Sequence, residues 1–201
     1  MHSGDICDRY LPLRYEILHR ELQWTLGNIN GPDELLDDYD RFSIAFGVFA
    51  GNDRLLAAAR LIEPGIRKDL PSLRLLVQQR RRSQFQAPVA ELSRVMVAKA
   101  YRGMGLFPIL LLTAIVLACH DGIRTLLMTE KDTERFAAFM ARHGFKRHAA
   151  GFSFGDDKIS PNEPAATYFL DIANDFSSDK ETAVAAERDA LFRRLDLSFQ
   201  I

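Results

Sequence analysis

The chain has 201 residues, enough for one domain of generous size, and its 47% hydrophobic and 26% charged content excludes the disordered and collagenous classes. Its 26 Lys and Arg against 27 Asp and Glu leave a net charge of −1. That balance argues against a general nucleic-acid binder, which needs a basic surplus to displace counterions.

Arg9–Leu26 carries Leu11, Ile17, Leu18, Leu22 and Trp24 at helical spacing, with Gly27 as its stop. Asn28–Asp40 reads as a loop holding Gly31, Pro32 and the acidic residues Asp33, Glu34, Asp37, Asp38 and Asp40. Ser43–Ala50 and Leu55–Ile62 are strands joined by the turn Gly51-Asn52-Asp53, a hairpin. Residues 63–90 form a long insertion broken by Pro64, Gly65, Pro71 and Pro88, with a short helix over Pro71–Arg82. Val89–Ala98 returns to strand pattern.

Tyr101-Arg102-Gly103-Met104-Gly105 then leads into a strongly apolar helix, Leu106–His120. The most apolar run, Leu106–Cys119, is too short to cross a bilayer, so no membrane span is expected. Arg124–Thr129 is a strand, and Asp132–His143 an amphipathic helix capped by Asp132 and stopped by Gly144-Phe145. Strands over Phe145–Phe154 and Ala166–Ile172 flank a turn-rich stretch with Gly155, Pro161 and Pro164, and Asp179–Leu195 is a charged helix. The order predicts an α/β (α+β) domain over 1–175, with 63–90 as a basic insertion and 176–201 as a C-terminal helical extension. Met1-His-Ser-Gly-Asp has no basic or apolar part of a secretion signal, and Cys7 and Cys119 have no metal-pair spacing. A cytoplasmic protein with reduced thiols is expected. His2, His19, His120, His143 and His148 are scattered, so no metal site is expected.

The glycines before the Leu106 helix let backbone approach a ligand, and the unpaired N–H groups of a helix start favour an anion such as a pyrophosphate. A dinucleotide fingerprint would need glycine where Pro108 stands, and a P-loop would need a Gly-Lys-Ser/Thr ending. A tight strand-to-helix turn is the plain alternative. From Val95 to Phe145 the order is strand, Tyr-Arg-Gly-x-Gly, apolar helix, Gly122, strand, helix, Gly144-Phe145. This resembles the acyl-CoA-binding core of the GNAT acyltransferase superfamily. The family's Arg/Gln-x-x-Gly-x-Gly/Ala loop matches at Arg102 and Gly105 and departs at Phe107. The resemblance implies a twisted mixed β-sheet flanked by helices. Val95, Met96 and Val97 would hydrogen-bond a pantetheine arm, while Arg102, Gly103, Met104, Gly105, Leu106 and Phe107 hold phosphate. Met140 stands near the place of the tyrosine acid that many of these enzymes carry.

Arg14, Trp24, Asp37-Asp-Tyr-Asp40, Arg60 and Glu91-Leu-Ser-Arg94 are similar in order to acyl-homoserine lactone synthases and N-acyl amino acid synthases. That likeness covers Arg14–Ile172. It implies transfer of a fatty acyl group from an acyl-phosphopantetheine donor, acyl carrier protein or acyl-CoA, with no tightly bound cofactor. The acceptor would be a small amino-acid-like amine, bound among Arg14, Trp24, Asp37, Asp40, Arg60 and Arg94.

Such a transfer needs a base for the amine, polarisation of the acyl carbonyl, and in-line positioning. Glu91 is the expected base, and backbone N–H groups near Met96 the polarising donors. The plain reading pairs Glu91 with an arginine as structural glue. Simple alternation puts Arg94 on the opposite strand face from Glu91 unless a bulge re-aims it. Arg60 clamps an acceptor carboxylate or pairs with Asp37 or Asp40 to order the loop, and the second is preferred. For Arg14 and Trp24, helix surface and core are the plain readings. The insertion sets Arg67, Lys68, Arg74, Arg80, Arg81 and Arg82 against Glu63 and Asp69, a solvated loop or a dock for an acidic carrier protein. Its Leu70, Leu73, Leu75, Leu76, Val77 and Phe85 are expected to line an acyl-chain pocket. An ordinary acetyl-CoA-dependent N-acetyltransferase and a silent acyl-binding module are the rival readings.

Overall fold

A computed structural model describes residues 4–25, 28–51, 54–63, 70–78, 85–153, 164–195 and 197–200. β1 (Ser43–Ala50) and β2 (Arg54–Ile62) make the expected hairpin; Asn52 and Asp53 of its turn lie outside the described residues. β3 (Val89–Val97) runs antiparallel to β2, and β4 (Thr125–Lys131) runs parallel to β3. β6 (Pro164–Asp171) inserts between β4 and β5 (Lys146–Ser153). A strand the sequence did not signal, β7 (Ser198–Gln200), pairs antiparallel with β1. The sheet order is β5-β6-β4-β3-β2-β1-β7. Gly155 and Pro161 lie outside the described residues.

Helices cover both faces. α3 (Leu106–His120), α4 (Glu134–Arg142) and α6 (Ser178–Leu195) pack on one face, over Phe46, Ala57, Ala59, Leu61, Leu92, Leu126 and Met128. α3 is buried on nearly every side, which is why it is apolar all round. The other face receives α1 (Gly4–Arg14), its π-helical continuation Tyr15–Glu21, and α2 (Pro71–Gln78). Ala57, Ala58 and Ala59, all at 0% exposure, stand at the sheet centre; small side chains there let both helical layers come close. α5 (Ile172–Asp175) is a single turn. Among the described residues no helix is long and apolar enough to cross a membrane.

Several boundaries differ from the expected ones for local reasons. The first helix starts earlier than Arg9 and keeps α-geometry only to Arg14. Pro12 lies inside α1 and cannot donate to the preceding turn. The wider turns that follow carry Ile17 and Leu18 inward and end with Leu22 N–H on the Ile17 carbonyl and Trp24 N–H on the Leu18 carbonyl. Gly27 lies outside the described residues, as do 79–84 beyond α2. α4 is capped by Thr133, not Asp132: the Thr133 hydroxyl accepts from Phe136 N–H at 3.2 Å, while the Asp132 carboxylate is taken by Arg147. α6 lies antiparallel along α3, Glu181 near Cys119 at one end and Arg194 beside Gly105 at the other.

Candidate active site

β3 and β4 pair only from Val89 to Leu92 and Thr125 to Met128. Beyond that point they diverge. The gap is a cleft of about 580 Å³ lined by Val95, Met96, Val97, Gly103, Gly105 and Phe107, with Glu130 and Lys131 on its β4 wall. Ile17, Leu18 and Trp24 of the N-terminal segment form its apolar side. The Lys131 ammonium stands 5.9 Å from the Trp24 ring centroid, joining the walls by a cation–π contact. Burial pushes the Glu130 carboxyl above the usual range, partly offset by the Lys131 N–H that it accepts at 2.9 Å.

The glycine loop closes one end. Gly103 and Gly105 have φ of 82° and 87°, a left-handed backbone that favours glycine. No side chain caps the first turn of α3, and Pro108 has no N–H, so the amides of Leu106 and Phe107 stay open to an anion. Arg102 donates from Nε to the Val97 carbonyl at 3.1 Å and from Nη2 to Glu21 at 2.8 Å, tying the π-helical segment to the loop. Met104 is exposed. Phe107 turns its ring edge-on to Phe136 and Phe139 at 5.6 and 5.4 Å. Met140 is fully buried in the core, so α4 presents a packing residue near the place of the tyrosine named above.

A buried ionic cluster lies on the α1 face. Arg14, at 0% exposure, donates to Asp40 at 3.0 Å and to Asp37 at 3.1 Å. Arg60, at 1% exposure, holds Asp37 at 2.7 Å, contacts Asp40, and donates from Nε to Ser93 Oγ at 2.9 Å. Arg94 reaches Asp37 at 3.2 Å. Arg14 therefore occupies neither helix surface nor apolar core. Burial alone would raise the Asp37 carboxyl, but the Arg60 hydrogen bond and the three guanidinium charges outweigh it and hold it well below the usual range. Arg94 joins because β3 bulges: between the Arg60–Ser93 and Ala58–Met96 pairs it uses one residue more than β2, and Arg94 has φ of 51°. Alternation is broken there, so Arg94 turns to the face of Arg60. Tyr10 is buried against the same cluster, and its hydroxyl has no hydrogen-bond partner among the described residues.

Glu91 sits at the root of the divergence, opposite Leu127. It is 2% exposed, and α2 rather than the cleft covers it. Its Oε2 accepts the Ser72 N–H at 2.9 Å, so the helix start serves as its partner in place of an arginine. Burial pushes its carboxyl up to about 7, opposed by hydrogen bonds from Ser72 and by Arg60 and Arg94 at longer range. Ser72 Oγ lies 2.6 Å from Thr129 Oγ1, which lies 3.0 Å from Thr167 Oγ1. Sequence reasoning missed Ser72, Thr129 and Tyr10. The only signal was Pro71 at a helix start, which places Ser72 in the first turn. The insertion's Leu70, Leu76 and Phe85 pack with Ile62, Leu127 and Ala165 and are not among the residues lining this cleft. Arg67, Lys68, Arg80, Arg81, Arg82 and the Val77 side chain lie outside the described residues.

A parallel pair that diverges around a cleft, with a left-handed glycine loop opening the next helix, matches the model of the acetyltransferase (GNAT) family over residues 15–145. The chain belongs to the GNAT family. It is a GNAT-type acyltransferase with an open mixed sheet, and its loop and divergent strands stand where the family resemblance expected them. Nothing among curated proteins matches significantly. Of solved structures, the CoA-dependent acyl-homoserine lactone synthase BjaI, with SAM and isopentyl-CoA, is similar at TM-score 0.67 and 19% identity, over 93% of this chain and 83% of that one. TofI, in a ternary complex with an inhibitor and MTA, is similar at TM-score 0.65 and 20% identity, with 92% of each chain covered. FeeM, an N-acyl amino acid synthase from uncultured soil microbes, is similar at TM-score 0.60 and 14% identity, over 90% of this chain and 94% of that one. The fold thus groups with enzymes of both kinds.

Proposed function

We infer that this GNAT enzyme moves a fatty acyl group from an acyl-phosphopantetheine thioester, on CoA or a carrier protein, to the amine of a small amino-acid-like acceptor. The observation that carries this reading is the buried cluster in which three guanidiniums converge on Asp37 and Asp40 beside the divergent strands. Guanidiniums fixed in one place suit the recognition of an acceptor carboxylate, and an acetyl transfer to a plain amine has no use for them. The apolar wall of Ile17, Leu18 and Trp24 suits an acyl chain. The similar BjaI structure, with SAM and isopentyl-CoA, supports the same pairing of donor and acceptor types.

In this reading the thioester lies along the unpaired edge of Val95–Val97. The acceptor nitrogen attacks the acyl carbon, a C–N bond forms, the C–S bond breaks, and the nitrogen's proton leaves through Thr129 and Ser72 to Glu91. The departing thiolate is protonated from solvent. A carboxyl held near 7 is matched to this task at neutral pH. The test offers acetyl, short and long acyl thioesters of CoA and of a carrier protein with amino acids or SAM as acceptors. Thiol release is read together with product mass. One thiol released per long-chain N-acyl product supports the reading. Preference for acetyl-CoA with simple amines makes the chain an ordinary acetyltransferase, and absence of thiol release with every pair makes it a binding module.

A further inference from the structure

The cleft described above stops at the glycine loop, yet one cation arrives at that loop from far along the chain. Arg194, in the last turn of α6, places Nη2 3.9 Å from where a Cβ on Gly105 would sit. The matched family region ends at residue 145, so this residue lies outside it. Its backbone position is well anchored. Leu191, Phe192, Leu195 and Leu197 pack on the main core. Leu197 N–H bonds back to the Phe192 carbonyl, and the residues that follow join the sheet as β7.

Positive groups gather at this end of the cleft. Two amides at the positive end of α3 are left open beside Gly105, and the exposed Arg194 guanidinium that reaches Gly105 makes no hydrogen bond or ion pair among the described residues. The Arg102 charge, two residues before Met104, is already taken by Glu21. Positive groups that converge on a left-handed glycine turn favour an anion between them, and the cleft leads the donor's phosphate end there.

We propose that Arg194 is a donor-binding residue that clamps a phosphate of the phosphopantetheine donor against the Gly103–Gly105 loop. This rests on the reading of the cleft as the acyl-donor site. It makes the C-terminal helix part of the active site, and it selects donors by their phosphate end without touching the reacting carbonyl.

Titration calorimetry of the full chain with coenzyme A, 4′-phosphopantetheine and pantetheine tests it without an acceptor. Arg194→Ala should weaken coenzyme A about tenfold, the scale of one charge-assisted hydrogen bond, and flatten its salt dependence. Arg194→Lys should recover part of the loss. Pantetheine, with no phosphate, should bind wild type and variant alike. Loss on coenzyme A alone assigns Arg194 to the nucleotide side of the pyrophosphate; equal loss on phosphopantetheine assigns it to the phosphate that a carrier protein also presents. Wild-type affinity of Arg194→Ala for coenzyme A, or equal loss on pantetheine, overturns the clamp while leaving the cleft intact. A wild-type chain that binds none of the three overturns the donor-site reading and the clamp together.

Discussion

Arg94 reaches Asp37, at 3.2 Å, only from a left-handed backbone. A non-glycine residue at φ of 51° costs on the order of 1–2 kcal/mol, so the bulge that aims this guanidinium carries local strain. Arg94→Gly should relieve the strain and Arg94→Ala should keep it. Both variants lose the Asp37 contact, and both should lower acceptor affinity about tenfold in steady-state kinetics. In urea unfolding the glycine variant should be more stable than the alanine variant by about 1 kcal/mol. Equal stability would show that the bulge is relaxed.

Asp37 is held ionised by the arginines, so its carboxyl titrates below its unfolded value of 3.8. Its contribution to stability is complete above that value and declines as pH falls from about 4 toward the folded value. Asp37→Asn should remove this limb from a plot of unfolding free energy against pH. At pH 7 it should cost about 3–5 kcal/mol, because buried guanidiniums lose a counter-charge. A variant as stable as wild type at neutral pH would contradict the cluster's role in the fold.

Glu91 behaves in the opposite sense. Its folded value of about 7 exceeds the unfolded 4.5, so the protonated form is favoured and stability declines as pH rises between the two. A base must be ionised to act, so kcat/KM should climb with pH to a plateau above about 7. Glu91→Gln can still accept the Ser72 N–H, so its Tm should stay close to wild type. Its rate should fall on the order of 10²-fold, and the pH limb should vanish. Retention of both rate and limb would make Glu91 a helix partner alone.

Thr129 separates the hydroxyl route from direct proton transfer. Thr129→Val keeps shape while breaking the 2.6 Å contact with Ser72. The expected result is a kcat lowered about tenfold, an unchanged KM for the donor and a larger solvent isotope effect. Thr129→Ser should restore most of the rate. An unaltered kcat would mean that Glu91 reaches the acceptor without the hydroxyls.

Trp24 tests the apolar wall. Trp24→Ala removes an aromatic face and the Lys131 contact at 5.9 Å. KM for a long-chain acyl-CoA should rise about tenfold, in line with the lost apolar area, and KM for acetyl-CoA should change less than twofold. A uniform rise would place Trp24 on the pantetheine arm.

Which of these features the sequence revealed follows from the range over which each is determined. The hairpin, α3 and the glycine loop rest on local periodicity and turn chemistry, and they stand close to the expected bounds. The Arg60 pairing with Asp37 and Asp40 was legible because a buried strand cannot keep an arginine uncompensated, and the acidic loop was the nearest supply of charge. The side of the sheet that Arg94 faces was not legible. One extra residue in β3 decides it, and that register depends on β2. The partner of Glu91 was hidden for a similar reason: it is a backbone amide of α2, delivered by tertiary packing. The Arg194 position beside Gly105 follows from α6 lying along α3, which neither helix encodes alone.

β7 bonds to β1 about 150 residues away in sequence, through the pairs Gly47–Gln200 and Phe49–Ser198. Until that late segment arrives, β1 is an open edge of apolar residues such as Phe46 and Val48 with unpaired backbone groups on one side. During synthesis or refolding, nascent chains therefore pass through an interval in which β1 can template a strand from a neighbouring molecule. Removing 198–200 would make that interval permanent, turning a covered rim into an adhesive strip and favouring strand-mediated association.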